Sequence, residues 1–132
     1  MSFGMKSQSF GLTVLRVVLG IVFLMHGYQK LFQMGFHGVA GMFTHMGIPL
    51  PFVSAVIVTL VEFVGGILLI AGVAVRIAAS LIAIDMLVAV LTVHMKHGFF
   101  VPSGIELPLT LLAAAICLAI AGGGAMQLRL RA

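Results

Sequence analysis

Residues 52–74 read FVSAVIVTLVEFVGGILLIAGVA, an apolar run holding one charge, Glu62, and no opposite charge. A helix rises ~1.5 Å per residue, so ~20 apolar residues cross a ~30 Å hydrocarbon core. This run is long enough to span a bilayer. A carboxylate at that depth costs several kcal/mol unless it is paired or keeps its proton. Only three acidic residues occur in the chain, and a second, Asp85, lies in another such run. The pattern is that of a small integral membrane protein with a polar interior.

Composition agrees. Of 132 residues, 62% are hydrophobic and 8% charged, and the mean hydropathy is +1.29. A soluble domain needs a charged surface that this chain does not have, so the apolar surplus must face lipid. The length predicts one domain, 1–132. The net charge of +4 is dispersed over the ends of apolar runs and does not indicate nucleic-acid binding. The single cysteine, Cys117, rules out an internal disulfide and dithiol redox chemistry within one chain. The polar segment Met1–Phe10 has no cleavage pattern, and no removed signal peptide is expected.

Four runs have spanning length, approximately 12–32, 52–74, 77–95 and 105–121. Breaks fall at Gly47, Pro49 and Pro51, at Gly72 with Arg76, and at Gly98, Pro102, Ser103 and Gly104. The runs are continuous rather than alternating, which excludes strands. The fold expected is all-α, an integral membrane four-helix antiparallel bundle. Lys6, Arg16, Arg76, Arg129 and Arg131 fall on one side and Lys30 and Lys96 on the other, which predicts both termini in the cytoplasm of a cell with a multi-pass protein in its inner (plasma) membrane. Between the first two spans, Val39, Met42, Phe43 and Met46 make one apolar stripe at i, i+3, i+4 and i+7. A short helix in the outer interface is the natural reading, and a lid over the bundle is its functional version.

The polar residues follow helix faces. Arg16, Gly20, Phe23, Gly27 and Lys30 form a seam on the first helix, with His26 beside it. Glu62, Gly65, Gly66 and Leu69 share a face of the second, where glycines let a neighbour approach. Glu62 therefore faces protein. Asp85 shares a face with Ala78, Ala89 and Thr92 on the third. By depth, Glu62 and Asp85 lie near the midplane and Arg16 about 7 Å inward, so an Arg16–Glu62 or Arg16–Asp85 pair is expected. His26, Lys30 and His94 gather at the outer end and are expected to line one cavity. A metal site built on His94 and His97 with His26 or Glu106 lacks any supporting motif. No haem ligand pair is evident at depth. The methionines and Cys117 read as packing residues.

The first helix reads LRVVLGIVFLMHGYQKLF over residues 15–32. Gly47–Pro49 (GIP) precedes VEFVGGILLIAGVAVR over 61–76, and His94, GFF at 98–100, Gly104 and Glu106 follow in order. This ordered set resembles the DoxX family of small four-helix membrane proteins. Arg16, His26, Gly27, Lys30, Glu62, Gly65, Gly66, Arg76 and His94 match its polar and glycine positions, whereas Asp85 departs from the pattern. The family is named after a subunit associated with quinol oxidase and thiosulfate–quinone oxidoreduction. The resemblance implies a membrane component of a quinone-linked redox system, with Arg16, His26, Lys30, Glu62 and His94 binding quinone or a similar small molecule. Glu62 and Arg16 are the catalytic candidates, and a redox partner protein supplies electrons. A non-catalytic scaffold recruiting soluble redox enzymes is the alternative, and small-residue faces allow a homo-oligomer. A transporter fits less well, because no helix is broken within the membrane.

Overall fold

The computed structural model describes residues 3–100, 102 and 104–124, with side chains from residue 7 onward. Ser103, Arg129, Arg131 and the side chain of Lys6, which enter the orientation expectation, lie outside the described residues. The first span is α1 (Phe3–Tyr28), extended by a π-helical stretch, Gln29–Met34. The chain turns at Gly35 (φ 74°) into α2, Gly35–Met46. Then come α3 (Pro51–Ala71), α4 (Val75–Ala89) with a π-helical end at Val90–His94, and α5 (Glu106–Ala121). Among the described residues the helical segments Ser7–Met46, Pro51–Ala71 and Val75–His97 are long and apolar enough to cross a membrane, and Glu106–Ala121 is a shorter apolar helix. The π-helical turns widen the first and third spans near one end without breaking them.

Local chemistry sets the boundaries. Gly47 and Gly72 adopt the left-handed conformation that ends a helix, at φ 76° in both cases. The amides of Gly72 and Val73 both bond to the Leu68 carbonyl, at 2.8 and 3.0 Å. Pro51 opens α3, where its missing N–H would have had no partner.

α1 packs mainly on α3, α3 on α4, and α4 on α5, while α5 returns to α1. Gly20 lies opposite Gly66 and Ile70, and Gly27 opposite Phe63, so α1 and α3 run antiparallel. Large apolar residues turn outward in ridges, such as Val14, Val18, Ile21 and Met25 on α1 and Ile57, Leu60, Val64 and Ile67 on α3. The interior of the same helices mixes small and polar residues (Thr13, Arg16, Gly20, Gly27, Ala55, Thr59, Glu62, Gly65, Gly66) with the large apolar Leu19, Phe23 and Leu69. This reversal suits a bundle solvated by lipid, whose helices associate through close backbone packing. The α2 stripe lies as expected, with Val39 and Phe43 buried against Ala55 of α3 and Met42 and Met46 packed around them. α2 thus caps one end of the α1–α3 pair.

The α1–α3 contact leaves no room for side chains at its glycines. A Cβ on Gly66 would strike the backbone of Leu24, and one on Gly27 the backbone of Phe63. We expect Gly27→Ala and Gly66→Ala each to destabilise the bundle by about 1–3 kcal/mol or more through overpacking. Gly41→Ala, with open space around it, should be neutral or stabilise by up to ~1 kcal/mol. Thermal melting in detergent checks the ranking, and equal melting of all three would contradict the packing.

Candidate functional site

Backbone contact between α1 and α3 brings two opposite charges together inside the bundle. Lys30, at the start of the π-helical turn, reaches back toward α3, and its Nζ lies 2.7 Å from Glu62 Oε1. The Glu62 side chain is 5% exposed and that of Lys30 14%. Glu62 faces the interior as its glycine-rich face required. Its partner differs from the one expected. By its Cα, Lys30 belongs to the outer end, but its long side chain spans the offset.

Arg16 is occupied elsewhere. It is 2% exposed, and its Nη1 donates to the carbonyls of Leu69 (2.6 Å) and Ile70 (3.0 Å). Its Nε donates to the Gly123 carbonyl at 3.1 Å. Leu69 and Ile70 stand in the last turn of α3, where carbonyls have no partner within the helix. A guanidinium there satisfies them and complements the negative end of the helix dipole. Leu69 is seven residues beyond Glu62, about 10 Å along the axis. The expected Arg16–Glu62 and Arg16–Asp85 pairs are therefore corrected: Arg16 ties α1 to the ends of α3 and α5, and Lys30 neutralises Glu62.

A second carboxyl joins the ion pair. The Asp85 side chain of α4 lies against that of Glu62 and within the field of Lys30. Among the described residues its Oδ2 is buried without a hydrogen-bond partner. Thr59, one turn from Glu62 on α3, is fully buried, and its hydroxyl also has no partner among the described residues. Thr44, Ser80, Thr92 and Thr110 instead donate to the carbonyl four residues back. Thr59 was not singled out in the sequence, although its i−3 spacing from Glu62 was the available signal. Lys30, Glu62 and Asp85 thus form one polar group contributed by three spans, with Thr59 buried one turn from Glu62 on α3.

His26 lies apart from this group. His26 is exposed and donates from Nδ1 to the Val22 carbonyl at 2.7 Å. It lines a shallow cleft of about 290 Å³ with Met25, Tyr28, Gln29 and Gln33. Neither Lys30 nor His94 lines that cleft, so the three residues expected to share one outer cavity do not meet there. His94 is half-buried at the π-helical end of the third span. Among the described residues, no three His, Cys, Asp or Glu side chains converge as metal ligands.

Comparison with known proteins agrees with this architecture. The DoxX family model matches residues 11–95, which hold Arg16, Lys30, Glu62 and Asp85. A Bacillus subtilis (strain 168) protein named "Putative oxidoreductase CatD" is 36% identical over 118 residues, covering 89% of this chain and 83% of the relative. No solved structure matches.

Removing Glu62 strands the Lys30 ammonium in a buried setting. Glu62→Ala should therefore cost about 3–5 kcal/mol. Glu62→Gln keeps the shape and an acceptor for Lys30, so it should cost clearly less. Thermal denaturation in detergent separates the two, and wild-type stability in both would show the ion pair to be dispensable.

Proposed function

Because this chain belongs to the DoxX family, we propose that it is a membrane component of a quinone-linked redox system. The single observation that carries this reading is the buried Lys30–Glu62 pair, 2.7 Å apart inside an apolar bundle. The oxidoreductase name of the Bacillus subtilis relative supports the redox class. Reduction of a quinone to a quinol takes two electrons and two protons. The electrons come from a partner redox protein, and this chain's residues handle charge and protons. The Lys30 ammonium donates a hydrogen bond to a carbonyl oxygen as negative charge develops on it, in a setting where water does not compete. Glu62, with Asp85 beside it, relays the two protons: the carboxylate takes up each proton first, passes it to a quinone oxygen, and returns to its ionised, Lys30-paired state. The cleft bounded by Met25, His26, Tyr28, Gln29 and Gln33 adjoins Lys30 in sequence. It offers apolar surface and hydrogen-bonding groups to an aromatic headgroup arriving from the bilayer, as an entry point short of Lys30, which does not line it. Arg16 serves the fold and has no part in this chemistry.

The test is extraction of the protein purified from native membranes, with quinone identified by mass spectrometry and absorbance. Wild type should carry quinone, and Lys30→Gln should lose most of it while remaining folded. Quinone-free wild type would favour the scaffold reading, in which the chain recruits soluble redox enzymes without binding their substrate.

The same reading sets both termini on the cytoplasmic side of the plasma membrane, following the basic residues. With Cys117 replaced by Ala, an impermeant thiol reagent added outside should label a cysteine at position 103 and spare one at position 129. The reverse pattern would invert the topology.

A further inference from the structure

We propose that Asp85 is a proton store within the bundle: at rest it holds one proton in a hydrogen bond to Glu62, and it hands that proton through Glu62 to the quinone. The acceptor rests on the quinone reading; the stored proton stands on three observations. The first is the contact between the two carboxyl groups. The Asp85 side chain of α4 is hydrogen-bonded to that of Glu62 on α3. An ionised carboxylate has no donor, so this bond requires a proton on one of the two. The second is charge. Among the described residues the charged groups acting on Asp85 are Glu62 and Lys30, and α5 meets α4 with the apolar Ala115 and Leu118. The Lys30 ammonium sits 2.7 Å from Glu62 Oε1, so it favours an ionised Glu62. With Asp85 neutral the group carries no net charge inside hydrocarbon. With both carboxyls ionised it would carry one uncompensated negative charge.

The third is the other oxygen of Asp85. Oδ2 is buried and meets no donor among the described residues. A carboxylate oxygen left in that state costs far more than the carbonyl oxygen of a neutral acid, because burial penalises charge most. A proton on Asp85 accounts for the contact, the charge and the bare oxygen together. Its position gives it a use. Glu62 is closed in, at 4% exposure, with Lys30 on Oε1. Asp85 as a whole is only half-buried and stands on a different helix, so Glu62 can be reloaded without breaking its ion pair. In use, the Asp85 O–H bond breaks as a Glu62 O–H bond forms, and that bond breaks as the quinone O–H bond forms. The electrons come from the partner redox protein. Asp85 is left ionised, and the excess negative charge draws a replacement proton from water. A second round supplies the second proton of the quinol.

Infrared spectroscopy of the full chain in detergent at neutral pH tests this, read at the C=O stretch of protonated carboxyl groups. That readout needs no bound quinone, so its outcome is separate from that of quinone extraction. Wild type should show such a band, and the band should shift in D2O, as a store refilled from water must. Asp85→Asn should lose it, since Glu62 then stays ionised against Lys30. Glu62→Gln should lose it too, because Asp85 is left as the carboxyl facing Lys30 and ionises. If Asp85→Asn fails to fold, Glu62→Gln carries the test. Lys30→Met should about double the band, since both carboxyls keep protons once their cation is gone. Glu106→Gln should leave it unchanged. A wild type without the band overturns the proposal, as does a band that survives both Asp85→Asn and Glu62→Gln or vanishes in Glu106→Gln. A band that never shifts in D2O also overturns it, because the proton would then be a fixed part of the fold.

Discussion

Contact between the backbones of α1 and α3 is the constraint on which the rest depends. Lipid offers no hydrophobic drive for helices to associate, so close packing and internal polar bonds must hold them together. Gly20, Gly27 and Gly66 remove the side chains that would hold the helices apart. That proximity lets a lysine rooted near the outer end reach a carboxylate near the middle of α3. With a bulkier seam, Glu62 would sit in hydrocarbon without a counter-charge, and the span of residues 52–74 would carry an uncompensated cost.

The two cations of the first span divide the work. Arg16 is a planar fork of donors that keeps its charge, and it meets carbonyls left over at the ends of two helices. Its contacts close one end of the bundle. Lys30 is a compact point charge on a flexible stem, and it keeps part of its surface open. Its contacts leave it able to meet a second partner. A structural role for the first and a chemical role for the second follow from what each group has left to donate.

Much of this was legible in the sequence. Three helical segments of crossing length with a shorter fourth apolar helix, the α2 stripe and the inward face of Glu62 followed from apolar run length and helical period. The partner of Glu62 did not, because depth was counted between Cα positions, which set Arg16 close and Lys30 far. Side-chain reach reversed that order, and the unpaired carbonyls after Leu68, which exist only once α3 ends at Gly72, drew Arg16 away. Asp85 stood out in the sequence by its depth, but its place beside Glu62 depends on how α4 is rotated against α3. Thr59 is ordinary on its own helix, and only its burial in the bundle marks it. The grouping of His26, Lys30 and His94 rested on depth and on the side of the first helix shared by His26 and Lys30, whereas the reach of Lys30 toward Glu62 depends on side-chain length.

The central claim is that Lys30 and Glu62 are one energetic unit inside the bundle. A double-mutant cycle with Lys30→Met, Glu62→Leu and the combined variant, followed by reversible unfolding in detergent, tests it most directly. The account predicts a coupling of about 1–3 kcal/mol, with the double variant more stable than the two single losses add up to. Strict additivity, with a coupling near zero, would contradict it.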